Sequence, residues 1–216
     1  MRHLFSVLVL TVFLVGFCNE PSINRYNQNS MSKAVYLKEK NLKSKTPSAL
    51  LPTEKDFSAS GDSISSFFGT LTLKKNIPIN KLYLLDGIEY IVNDIKIIHF
   101  HPAQGHDHLF NKYTNLREFD FIKMNVEMVN TKPKTVKFTP IISLYADNFF
   151  ISGEKDIYQE KISGNLKGGE TKKGNIGFIL PTPYEQVNQI NITSSAVIDL
   201  DNTVRKSPVT LPVLLR

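Results

Sequence analysis

An all-β antiparallel sandwich is what this sequence predicts for the stretch from Phe67 to Arg216, and three observations carry that prediction. Short runs rich in Val, Ile, Leu, Phe and Tyr alternate apolar with polar side chains, the period of a half-buried strand. Turn residues interrupt these runs at about every ten positions, the spacing of a sandwich. No segment carries a helical apolar stripe longer than about two turns, so no crossover helix is available to join parallel strands.

The strands follow in order. FGTLTLK and INKLYLL are read as the first two, and Asp86-Gly87 is a strong turn dipeptide. IEYIVNDIKIIHFHP follows and is stopped by Pro102. Phe119 to Asn130 is the clearest strand: Ile122, Met124, Val126 and Met128 share one face, and Lys123, Asn125 and Glu127 share the other. Glu127 reads as an ordinary solvent-facing acid. Lys132-Pro133 makes the next turn, after which Val136, Phe138, Ile142 and Leu144 continue on one parity. NIGFILP, QINITS, AVIDLD and SPVTLPVLL complete the set, with Val209, Leu211, Val213 and Leu215 on one face of the last.

The N-terminus predicts export. Arg2 supplies a positive start, and Leu4 to Phe17 is almost wholly apolar. About fourteen residues make roughly 21 Å of helix, whereas a bilayer span takes ~20 residues, so the length fits a signal segment better than a stable membrane helix. Cys18, the only cysteine in the chain, sits where the apolar run ends, ahead of Asn19 and Glu20. A cysteine there resembles the lipobox of bacterial lipoproteins, whose thiol is alkylated by diacylglycerol. Val15 and Gly16 fit that pattern, and Phe17 departs from the usual small residue. Lipidation at Cys18, an uncleaved anchor and plain secretion all stay open. With a single cysteine no intrachain disulfide can form, so a domain outside the cell must hold together by packing alone.

The chain is thus read in three parts: residues 1–18 as signal peptide or lipoprotein anchor, 19–66 as a disordered linker, and 67–216 as the domain. The linker is rich in Asn, Ser, Lys and Pro and has few apolar clusters to offset the entropy of ordering it. About 45 such residues would reach roughly 35–40 Å, enough to lift a domain off a bilayer. The formal net charge is +6, spread without a block of like charges. That argues against a nucleic-acid partner and suits the anionic surface of a membrane or cell wall.

From about Gly87 to Val213 the chain resembles a family of immunoglobulin-like domains of unknown function. They are common in exported lipoproteins of low-GC Gram-positive bacteria and similar to a secreted mycobacterial immunoprotective antigen. The matching stretches are Phe121 to Asn130, Val136 to Leu144, Gly164 to Gly169, Lys173-Gly174 and Phe178 to Pro181. The resemblance implies an immunoglobulin-like antiparallel sandwich and an extracellular setting. It implies no reaction.

One chemical anomaly stands out. Four of the five histidines fall in HFHPAQGHDH, residues 99–108. His99 and His101 share a strand face, while Pro102 and Gly105 force a loop carrying His106, Asp107 and His108. Imidazole and carboxylate suit Zn²⁺ or Cu²⁺, and the strand pair and loop pair could converge on one ion. His101, His106 and His108 are the first candidate ligands, with His99 or Asp107 completing the set. A solvated histidine loop without any metal stays open beside this, and His99 shares parity with Ile95 and Ile97, so it could instead point into a core. The spacing matches no standard zinc signature. Neither a nucleophile elbow nor a phosphate loop is present, and no carboxylate pair stands out for glycoside hydrolysis.

The expectation is therefore a non-enzymatic, extracytoplasmic domain anchored to the cell membrane, binding an envelope protein or cell-wall partner and needing no cofactor. Metal binding or sensing through residues 99–108 is the alternative.

Overall fold

The computed structural model describes Leu51 and residues 57–215. The predicted signal segment, Cys18 and most of the predicted linker lie outside the described residues. Among the described residues there are thirteen strands and otherwise only short 3-10 turns. The strands are β1 (Ser63–Ser66), β2 (Gly69–Leu85), β3 (Ile88–Pro102), β4 (Phe119–Asn130), β5 (Val136–Phe138), β6 (Ser143–Ala146) and β7 (Phe149–Ser152). They continue with β8 (Gly164–Leu166), β9 (Thr171–Ile179), β10 (Gln189–Thr193), β11 (Val197–Asp199), β12 (Val204–Lys206) and β13 (Thr210–Leu214). Every pairing among them is antiparallel. A five-stranded sheet runs β1-β2-β3-β4-β9, and two four-stranded sheets run β13-β10-β6-β7 and β12-β11-β5-β8. The arrangement is an all-β sandwich. Its paired structure begins at β1, and Leu51 and Phe57 are already buried in a core cluster, so ordered chain extends N-terminal to Phe67.

All three sheets share one apolar core. Ile97, Ile122, Met124 and Phe178 come from the large sheet, Phe138 and Val197 from one small sheet, and Leu144, Ile190 and Ile192 from the other. Strand β3 stays in register with this core by a bulge. Ile88, Tyr90 and Val92 point inward on even positions; Asn93 is then the extra residue, and Ile95 and Ile97 point inward on odd ones. The two strands read as FGTLTLK and INKLYLL are one long strand, β2, bent by register shifts at Leu73/Lys75 and Pro78/Lys81. Its hairpin to β3 turns at Asp86 and Gly87, both at positive φ (47° and 93°), the geometry that Asp-Gly favours.

Two expectations of face are corrected. Val136, Phe138 and Leu144 are buried but Ile142 is not, because residues 139–142 carry the chain from one small sheet to the other and Ile141 turns inward instead. On β4, the supposed polar face is also covered: Lys123 and Asn125 are buried. Residues 156–160 form a strap over that side. Asp156 accepts hydrogen bonds from the backbone N–H groups of Tyr158 (3.0 Å) and Gly177 (2.8 Å), and Glu160 from that of Asn175 (2.9 Å). The Tyr158 ring lies 5.8 Å from the Lys123 ammonium. Gly177 permits this approach, since a Cβ there would stand 2.7 Å from the Tyr158 ring. The Asn125 carbonyl accepts from the Asn93 amide at 2.8 Å.

Asn130, which ends β4, ties three segments together. Its side-chain amide donates to the carbonyls of Lys134 (2.8 Å) and Leu166 (3.1 Å), and its side-chain carbonyl accepts from the Lys132 N–H (3.1 Å). Buried partners left without a mate cost about 1–3 kcal/mol. Asn130→Ala is therefore expected to lower stability by about 2–3 kcal/mol in urea unfolding at unchanged m-value. Gly177→Ala should cost about 1–3 kcal/mol by overpacking the strap, despite alanine's lower backbone entropy in the unfolded chain; an unchanged thermal midpoint would contradict the strap geometry.

Candidate functional site

The large sheet outruns its cover at the Pro102 end of β3, and the side chains exposed there are chemically distinctive. His99 faces the same side as Ile95 and Ile97, as parity predicts, yet it is 28% exposed because it lies past the last core layer. Across the strand pair its register partner is Asp120 of β4. His99 Nδ1 lies 2.7 Å from Asp120 Oδ1. The buried Asp120 uses its other oxygen to accept the Tyr184 N–H at 2.8 Å. One step further out, His101 Nδ1 lies 2.7 Å from Glu118 Oε2, and that same oxygen lies 3.9 Å from His99 Nε2. Two histidines of β3, Asp120 of β4 and Glu118 just before β4 thus form one block. His101 and Glu118 are well exposed, with 66% and 56% of their side chains accessible. The hydrogen bond from His101 holds the Glu118 carboxyl below its ordinary pKa.

Of the residues nominated from sequence, His99 and His101 come together here, and His106, Asp107 and His108 do not. The reason is the anchor of their loop. Phe110, at the end of the 3-10 turn Asp107–Phe110, packs against Phe100 and Phe119 at ring separations of 5.1 and 5.2 Å. Phe100 and Phe119 alternate with His99 and Asp120 along their strands, so the loop is drawn to the opposite face of the sheet. His106 stands edge-on to Phe67 (4.7 Å) and Phe68 (5.6 Å), and Asp107 pairs with Arg117 at 3.2 Å. Sequence reasoning missed Glu118 and Asp120. The available signal was their parity with Ile122, Asp120 on the strand that pairs with β3 and Glu118 as the residue just before it.

His99, Glu118 and Asp120 line a groove of about 390 Å³, with Lys74, Pro181 and Glu185 on its other walls. Among the described residues, His99, His101 and Glu118 form a group able to hold a metal ion, their ligand atoms all within 4.8 Å of one another.

A second feature is apolar. Strand β7 forms one edge of its sheet. Phe149 and Phe150 are more than half exposed there, and the Tyr145 and Phe150 rings meet edge to face at 5.3 Å. A groove of about 450 Å³ runs beside this edge, lined by Tyr113, Phe149, Phe150, Lys155 and Pro181 among others. Nothing in the sequence beyond the Phe149-Phe150 pair after the Asp147-Asn148 turn pointed to it.

Among the described residues, no helix is long and apolar enough to cross a membrane. No family model matches the sequence. The fold is similar to that of a functionally unknown protein from Listeria monocytogenes EGD-e, with a TM-score of 0.53 at 13% identity over 68% of this chain and 89% of that one. At that identity the likeness is one of fold alone. The chain is also 30% identical over 225 residues to the uncharacterized protein YdhF of Bacillus subtilis (strain 168), covering 92% of this chain and 93% of YdhF. On that extent of identity, the chain belongs to the same family as YdhF.

Proposed function

We propose that this protein is a non-catalytic binding domain of immunoglobulin-like type, exported and anchored at the outer face of the cell membrane through Cys18, and that it takes up an extended segment of an envelope protein along β7. The apolar start of the chain and the cysteine that ends it support the export and the anchor. The state of the β7 edge carries the binding reading.

Sheet edges are ordinarily guarded against new strands by charges or proline. In this chain β9 carries Lys172 and Lys173, β12 carries Arg205 and Lys206, and β13 carries Pro212. The edge strands β1 (Ser-Ile-Ser-Ser), β8 (Gly-Asn-Leu) and β7 (Phe-Phe-Ile-Ser) carry neither charge nor proline, and among these three β7 alone presents large apolar side chains to solvent, Phe149 and Phe150. An incoming strand would gain main-chain hydrogen bonds on the open side and apolar contact with the exposed phenylalanines, the usual mode of strand addition. The flanking groove offers room for its alternate side chains.

Two measurements test the reading. Mass spectrometry of the mature N-terminus is expected to find a diacylglyceryl-modified Cys18, and an intact Met1 would contradict the lipid anchor. A benzophenone amino acid in place of Phe150, in the full-length chain in its native cells, should give one cross-linked envelope protein on illumination. The same probe in place of exposed Leu200 should give none. Phe149→Asp in the Phe150 probe strain should abolish the product. A cross-link to a second copy of the chain, or no product that depends on Phe149, would overturn the binding assignment.

A further inference from the structure

The histidine–carboxylate block at the end of β3 and β4 supports an inference independent of whatever β7 holds. We propose that His99 Nε2, His101 Nδ1 and a Glu118 oxygen bind one Zn²⁺ ion, with Asp120 as the positioning residue for His99.

Asp120 is the fixed point of the block. Its carboxylate is buried and fixed at both ends, by the Tyr184 N–H on one oxygen and His99 Nδ1 on the other. That contact sets the His99 tautomer, with the proton on Nδ1, and leaves Nε2 as the lone-pair nitrogen facing the groove. A carboxylate that grips one imidazole nitrogen and presents the other is the arrangement that orients zinc-binding histidines. Glu118 Oε2 stands 3.9 Å from Nε2. Zinc–ligand bonds of 2.0–2.1 Å at tetrahedral angles put neighbouring ligand atoms about 3.4 Å apart. The observed separations of 2.7 and 3.9 Å fall on either side of that value. The adjustment falls on His101 and Glu118, the two exposed side chains, while His99 stays pinned.

The ion replaces the proton between His101 Nδ1 and Glu118, and the neutral His101 ring carries its proton on Nε2, toward solvent. Charge favours a cation: Glu118, Asp120 and Glu185 outnumber Lys74 around the groove. Two imidazoles and one carboxylate are a recognised zinc set, and they leave a fourth position open to water. Both histidines stand on strand β3, which holds them more firmly than a loop would, and Glu118 immediately precedes β4 beside them.

The test is calorimetry with ZnCl₂ at pH 7.5 on the tag-free, full-length chain in detergent, together with NMR of the histidine ring nitrogens. One ion per chain is expected, with Kd below about 10 µM, and shifts at His99 Nε2 and His101 Nδ1. His101→Ala and Glu118→Gln should each weaken binding at least about tenfold, and Asp120→Asn about tenfold or more. The double variant His106→Ala with His108→Ala should bind as the parent does. Far-UV circular dichroism and melting temperature confirm that His101→Ala and Glu118→Gln, both surface changes, keep the fold. Affinity weaker than about 0.1 mM, or affinity that falls with the His106/His108 pair and not with His101 or Glu118, would overturn the assignment.

Discussion

Strands β3 and β4 bury side chains on both of their faces, and the rest of the molecule is arranged around that constraint. Ile97, Ile122 and Met124 face the shared core on one side, while Ile98, Phe100 and Phe121 face a second cluster on the other. Each such side chain taken out of water contributes about 1.5–3 kcal/mol. With no disulfide available to a chain whose single cysteine lies at position 18, this double burial carries the fold. It requires cover on both sides. The two small sheets supply one cover, and the strap 156–160 with Phe57, Phe110 and Leu51 supplies the other. The glycines of β9 belong to the same economy of space, since a side chain at Gly174 or Gly177 would stand where Glu160 and Tyr158 now lie.

The strand content was legible in the sequence because alternation is a local signal. β3 and β4 occur with the bounds the pattern gave, Ile88–Pro102 and Phe119–Asn130. What escaped was non-local. Lys123 and Asn125 alternate with apolar neighbours, which reads as a solvated face; they are covered by a strap about 35 residues away in sequence, which no window along β4 can register. Ile142 kept parity with Leu144 in the sequence but lost it in space, since the chain changes sheets between Phe138 and Ser143. The bulge at Asn93 was likewise hidden, although the switch from even to odd apolar positions in IEYIVNDIKI is its trace.

The candidate site shows the same division. Histidine enrichment at 99–108 was visible, and so was the shared face of His99 and His101. Their partners were not, because Asp120 meets His99 only through strand pairing, and Glu118 is brought alongside His101 where β4 begins. The loop histidines were the more conspicuous and are held elsewhere, by the burial of Phe110 between Phe100 and Phe119. One aromatic anchor therefore decides which histidines share a site. The apolar edge at β7 was invisible for a related reason: whether a strand lies at an edge is a property of the sheet, and Phe149-Phe150 looks the same in sequence whether paired on one side or two.

If double burial of β3 and β4 is the organising constraint, those two strands should be the last to open. Native-state hydrogen exchange of the full-length chain measures this directly. The slowest amides, exchanging only through global unfolding, are expected in residues 95–98 and 121–128, with protection falling off toward His101 where the cover ends. Maximal protection in the two small sheets instead, with residues 95–98 and 121–128 exchanging through local opening, would contradict it.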